Sequence, residues 1–519
     1  MGQVGRVGQV GRTLVSRPWL RVLRPASSFA FMLLAATPAS AQTQCERLVS
    51  LKISDATVAS AETVAAGAFN ASPEDPSFKT LPAFCRVVGV VQRANDTGVK
   101  FEAWLPLQNW NGEFRPAASG FAGGAITYTG MAANLRQGWA TASTNRGHDA
   151  PGPWKLADMT SAAYHLMVPP SKRLIDAFYG KPAALTLMNE CGGGGSRDAL
   201  QLVQDHPRDL DAAAAVGFVY DSLHHGIGQM WVFEATHKTG ASYIPPSKYP
   251  LIHKAALDSC DAKDGLKDGI IEDPPRCKVD LDAIACKAGD GPSCLTAPQI
   301  AAAKQIYSPA VHAKTGKYLF AGMAPGGELQ WEPMAGPAPY NYAPGFYRNA
   351  VFKDPTWDWK AGLPNFDSHV DLAEAAPNQV IQATKGDIRP FIDRGGKLLL
   401  IGGWADHTLA PGSFVDYYNA VVKAVGPDKA RSGVRLFMVP GMDHCLDNPI
   451  YGAIHDLDVM GILRRWNSTG TAPETLHITV RTPDGAVERT RFVCAYPQVA
   501  QYKGSGSPND AASFACRMP

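Results

Sequence analysis

The chain of 519 residues lacks an excess of either charge, and that removes a class of partners. Lys and Arg number 49 and Asp and Glu 47, a formal net charge of +2. Five arginines (Arg6, Arg12, Arg17, Arg21, Arg24) and no acid fall in residues 1–41; without that segment the balance is −3. A near-neutral protein gives no electrostatic case for nucleic acid. Long apolar runs are also missing. The stretch Phe29-Ala-Phe-Met-Leu-Leu-Ala-Ala36 is too short to span a bilayer, and no later segment is longer and equally apolar, so no membrane helix is expected. There are no internal repeats, and low complexity is confined to one glycine run. Apolar content of 45% and charged content of 18% remain, which fit a globular protein.

Residues 1–41 read as an export signal: a basic stretch, an apolar stretch, then Ala39-Ser-Ala41 as a small-residue cleavage site, with no twin arginine. All ten cysteines follow it. An even count in an exported chain implies disulfides, whose connectivity the sequence leaves open. Chain neighbours suggest Cys260–Cys277, Cys286–Cys294 and Cys494–Cys516. Cys45 with Cys85 would be a further local loop, and Cys191 would then meet Cys445.

Three short apolar runs, 184–188, 397–401 and 434–439, read as strands of a parallel sheet. Helical patterns such as 411–424 alternate with them, which predicts an α/β fold. Functional groups in such sheets gather at the carboxyl ends of the strands. Here those ends carry the run Glu190-Cys-Gly-Gly-Gly-Gly-Ser-Arg197, then Asp406, then His444. Residues 223–375 have a different texture, rich in Pro, Gly, Trp and Tyr. They read as an inserted lid domain between catalytic segments 42–222 and 376–519. Its aromatics Trp331, Tyr340, Tyr342, Phe346, Tyr347, Trp357 and Trp359 suit an aromatic ligand, although more than half are expected to form the lid's own core.

An apolar strand, a glycine turn and a helix form the setting of a hydrolase nucleophile. His444 would take the nucleophile's proton and Asp406 would fix the tautomer, in the chain order of this fold. His407 and Asp443 are rivals, with surface roles expected for both. The loop Ala118-Ser-Gly-Phe-Ala-Gly-Gly124 offers the amide of Gly120 or Phe121 as oxyanion donor. The segment 261–270 could wrap a hard cation such as calcium. Asp261, Asp264 and Asp268 would be side-chain ligands, with Leu266 and Ile270 giving carbonyls. The spacing is not that of an EF-hand.

With these segments assembled, the chain resembles the tannase and feruloyl esterase family, which includes the mono(hydroxyethyl) terephthalate hydrolases. Trp110-Asn-Gly112, residues 138–148, the acidic loop 261–270, Phe352–Asp358, Gly403–Asp406, Pro440–Cys445 and Tyr502–Ala512 carry the likeness. The resemblance implies an α/β-hydrolase fold, structural calcium in the lid and hydrolysis of aromatic-acid esters by a serine mechanism. It also implies the 191–445 disulfide beside the catalytic centre and an oxyanion glycine near Gly120. One position departs. Where the family has Gly-Cys-Ser-x-Gly-Gly-Arg, this chain has one residue more and no serine at the apex. Aligned from the cysteine the serine becomes Gly192; aligned from Arg197 it becomes Gly193. Three readings follow: Ser196 serves as a displaced nucleophile, the chain is an inactive relative that binds aromatic esters or acids, or water attacks with His444 as base. A helical turn would leave Ser196 about 5.4 Å beyond the usual spot, so the first reading requires the loop to rearrange.

Overall fold

A computed structural model describes residues 44–71, 75–92, 98–118, 125–147, 162–446 and 453–519. The export segment 1–41 and Gly120 lie outside the described residues.

The N-terminal strands β1 (Ala56–Val64), β2 (Phe84–Val91) and β3 (Val99–Pro106) form an antiparallel meander. β3 pairs with β5 (Ala140–Thr144), and β4 (Phe114–Pro116) lies parallel beside β5. Alternating burial along β2 is what a sheet with one wet face requires. Four parallel strands make the second sheet, in the order β6 (Leu187–Cys191), β7 (Ala212–Val216), β8 (Lys397–Gly403) and β9 (Val434–Val439). A bridge between Phe114 and Thr186 joins the two sheets, helped by the Phe114 amide donating to Leu185 O at 2.9 Å. β7, β8 and β9 are buried almost throughout, because both faces of the sheet are covered by further elements. Each fully buried Leu or Ile there contributes about 1.5–3 kcal/mol.

The sequence places β9 correctly and β8 two residues short. The first run is shifted: the strand is 187–191, not 184–188. Ala184 and Leu185 bond to the β4 edge, with Ala184 N donating to Gly112 O at 2.8 Å. Asn189 and Glu190, polar and so invisible to an apolar pattern, pair with Ala214 and Ala215. The helix expected at 411–424 spans Gly412–Val425. Helix α1 (Ala162–Tyr179) precedes β6, and α2 (Gly192–Asp205) starts directly after it.

Apolar residues of the 223–373 stretch build a core of their own around helix α3 (Ser222–His237), joined by Ile381 and Ala410. Trp331, Phe346 and Tyr347 lie fully inside it. A third layer, β10 (Ile454–Asp456), β11 (Thr475–Arg481) and β12 (Val487–Cys494), packs behind the parallel sheet. Five disulfides are present: 45–85, 191–445, 260–277, 286–294 and 494–516. No helix among the described residues is long and apolar enough to cross a membrane.

Candidate active site

The loops after β6, β8 and β9 converge. After β6 the chain turns at Gly192, whose φ of +79° is left-handed and costs a side-chain-bearing residue strain. A Cβ built on Gly192 would stand 3.2 Å from Nε2 of His444, and among the described residues no side chain other than the His444 ring comes within 4 Å of it. Gly195 is needed for another reason: a Cβ there would press within 3.0 Å of Ala118 and Glu190, where the helix meets the neighbouring loop. The Cys191–Cys445 disulfide links the end of β6 to the loop of His444. Gly217, after β7, lets that loop settle, since a Cβ there would meet His444 O at 2.2 Å.

Asp406 is buried and accepts from the Thr408 and Leu409 amides, both at 2.9 Å, and from the Thr408 hydroxyl at 3.2 Å. Its Oδ2 meets His444 Nδ1 at 2.8 Å. Burial works against the Asp406 charge, but His444 and the Thr408 amide outweigh it and hold the carboxyl below its ordinary range. Burial likewise opposes a charged His444, and the Asp406 carboxylate outweighs it, so the imidazole sits above its ordinary value. The carboxylate fixes the proton on Nδ1 and leaves Nε2 as the base, facing the turn.

Ser196 lies one helical turn on. It is fully buried, and its hydroxyl donates back to Gly192 O. Gly193 and His444 line a cavity of about 430 Å³ together with Thr408, His225, Tyr340 and Tyr342. The apolar pattern of the sequence pointed to neither His225 nor Thr408. Of the seven aromatics singled out in the 223–375 stretch from the sequence, Tyr340 and Tyr342 line this cavity.

The surface roles expected for His407 and Asp443 are overturned. Both are buried, and His407 Nδ1 meets Asp443 Oδ1 at 2.5 Å. The same oxygen accepts the His407 amide at 3.0 Å. Glu190, beside the turn, accepts from the Ala118 amide at 3.1 Å. Burial pushes its carboxyl up to about 7, with the Ala118 bond pulling the other way.

In the acidic loop, Asp261 and Asp264 are buried. Asp261 accepts from the amides of Asp268 and Gly269 at 3.3 and 3.1 Å, and Asp268 pairs with Arg491. Asp264 accepts from the Leu266 amide at 3.0 Å through Oδ1, while its Oδ2 is buried with no partner among the described residues. An orphaned, buried carboxylate oxygen among further acids is a donor set that suits a hard cation.

A parallel sheet with Asp406 and His444 at its strand ends, and a glycine turn before them, defines an α/β-hydrolase. The family pattern described as tannase and feruloyl esterase matches residues 85–517. An uncharacterized esterase of Xanthomonas campestris pv. campestris is 32% identical, with 92% of each chain covered. A protein of Aspergillus flavus named "Probable feruloyl esterase B-1" is 31% identical over 83% of this chain and 86% of its own. The crystal structure of feruloyl esterase B from Aspergillus oryzae superposes with a TM-score of 0.79 at 27% identity, covering 92% of this chain and 100% of that one. The chain belongs to the tannase and feruloyl esterase family of carboxylic ester hydrolases.

Proposed function

We propose that the protein hydrolyses esters of aromatic acids with water as the nucleophile, activated by the Asp406–His444 pair. The observation that carries this is the open position at Gly192, facing Nε2 of His444. A water standing where the family has its serine side chain is within reach of that nitrogen. Its oxygen attacks the ester carbonyl while His444 Nε2 takes the proton. The tetrahedral oxyanion forms near the amide of Gly193. The C–O bond then breaks, and His444 returns the proton to the leaving alkoxide, giving acid and alcohol. Tyr340 and Tyr342 wall the cavity that would hold the acyl ring. Ser196 is less suited to attack, since its hydroxyl is committed to Gly192 O inside a buried helix. The relatives' names, as feruloyl esterases, favour feruloyl-type acyl groups.

Without a covalent step the rate should be low. Loss of a triad nucleophile leaves about 10³–10⁴ over the uncatalysed rate. Gly192→Ser is therefore expected to raise aryl-ester turnover by several orders of magnitude, up to about 10⁶, and to create labelling by a fluorophosphonate probe. Wild-type turnover no greater than that of His444→Ala would overturn the reading. Labelling of the wild type that vanishes in Ser196→Ala would instead assign the attack to Ser196. The absent nucleophile also favours a second reading, a protein that binds aromatic esters or acids without turnover. Ligand binding without any hydrolysis would establish it.

Residues 223–375 act as the lid in this proposal, and calcium holds the acidic loop. Asp261, Asp264 and Asp268 would bind it, with the carbonyls of Leu266 and Ile270, neutralising the crowded carboxylates. Chelation with EDTA is expected to lower Tm; no shift, and no metal by elemental analysis, would remove the claim. Ten cysteines in five disulfides suit an oxidising compartment, so we place the mature protein outside the cytosol.

A further inference from the structure

Two arginines of β12, Arg489 and Arg491, reach the acidic loop from the third layer. Arg491 is 4% exposed, and its guanidinium lies over the Phe514 ring, 5.3 Å from the centroid. Its Nη2 donates to Asp268 Oδ2. Its Nη1 stands 3.7 Å from Glu272 Oε1, an ion pair too long for a hydrogen bond. Nε and Nη1 are buried and have no hydrogen-bond partner among the described residues. Arg489 approaches the same Asp268 oxygen, with Nη1 at 3.9 Å. A guanidinium with most of its donors unmet is held by charge and not by a directional fork. Arg491 is thus the counter-cation of a crowded set of acids, Asp261, Asp264, Asp268 and Glu272.

The aspartates differ in what they still offer an ion. Asp264 is buried, and its Oδ2 has no partner among the described residues. Asp268 has both oxygens engaged: Oδ1 accepts from the Ile270 amide at 3.3 Å and Oδ2 from Arg491. A cation that draws on Asp268 therefore shares that carboxylate with a buried guanidinium. Like charges about 4–6 Å apart at an effective dielectric of about 20 oppose each other by well over tenfold in a binding constant.

We propose that the arginines of β12, Arg491 above all, set the calcium affinity of the acidic loop by competing with the ion for Asp268. Arg491 stands outside the ligand set of the calcium reading on which this rests. Its charge steadies the carboxylates before the ion arrives and weakens the ion's hold afterwards, since affinity in oxygen-ligand sites follows the charge count.

The full mature chain, stripped with EDTA and dialysed, is titrated with calcium chloride and followed by calorimetry and by Tm. Arg491→Gln removes the charge and keeps a donor for Asp268. It is expected to bind calcium at least about tenfold more tightly than the wild type. Its Tm should be lower before calcium and rise further on addition. Arg491→Lys keeps the charge and should stay within about threefold of the wild type. Unchanged or weaker binding in Arg491→Gln would overturn the proposal and make Arg491 a support that orients Asp268. Should Arg491→Gln fold poorly, Arg489→Gln decides, since that side chain is 19% exposed and makes no hydrogen bond to the acids. Tightening by about threefold supports the competition, and none overturns it. Calcium binding with one constant in the wild type and both glutamine variants would remove the competition and leave the calcium site standing. Neither heat nor a Tm shift in any of these proteins would remove the calcium reading itself, and the competition with it.

Discussion

The loops after β8 and β9 meet in two Asp–His pairs built from neighbouring residues, Asp406–His444 and Asp443–His407. Each loop gives an acid to one pair and an imidazole to the other. The difference lies in what surrounds them. Asp406 has its oxygens filled by two amides, a hydroxyl and an imidazole. Asp443 keeps Oδ2 buried without a partner among the described residues. His444 opens on the cavity and the glycine turn, whereas His407 is closed in. Residue type therefore does not define a catalytic pair. A fully satisfied carboxylate and an imidazole nitrogen aimed at open space do.

Removing each imidazole should separate the two pairs most strongly. His444→Ala is expected to reduce aryl-ester hydrolysis to background, while Asp406 keeps two amides and a hydroxyl as partners and so loses only part of its support. His407→Ala should instead destabilise by about 3–5 kcal/mol, because it strands a buried carboxylate, with turnover per folded molecule kept within a few-fold. If His407→Ala silences folded protein, the comparison breaks. Asp406→Asn comes next: without the carboxylate the imidazole takes the wrong tautomer, a loss of about 10³–10⁴ in serine triads.

The smallest effect is on pH. Base catalysis needs neutral His444, whose affinity for the proton is raised in the fold by Asp406. The rate should rise with pH through an apparent pKa above the ordinary histidine value of 6.5. The stability linked to the same proton has the opposite sign. It is fully present below 6.5 and is lost as pH climbs through the folded value. A pH–rate limb at or below 6.5 would show that Asp406 does not dominate His444.

Much of this site was legible in sequence because chain order and strand-end placement are set by continuous apolar runs. Asp406 and His444 each follow such a run closely. The end of β6 was not legible, since Asn189 and Glu190 are held extended by their backbone partners and not by burial of side chains. His407 and Asp443 look like solvated loop residues in one dimension. Only the meeting of two loops 36 residues apart buries them. His225 was hidden differently: α3 is buried nearly all round, so no amphipathic stripe marks the face that turns to the cavity.

The disulfide between Cys191 and Cys445 has a sequence separation of 254, and the entire 223–375 stretch lies inside the circle it closes. A protease that nicks any one exposed bond in that stretch cannot release a fragment. Both new ends stay tethered through the sulfurs beside His444. The nicked protein should run as one species on a gel until a reductant is added, and then as two. The chain thus keeps its two halves in one molecule after a first cut.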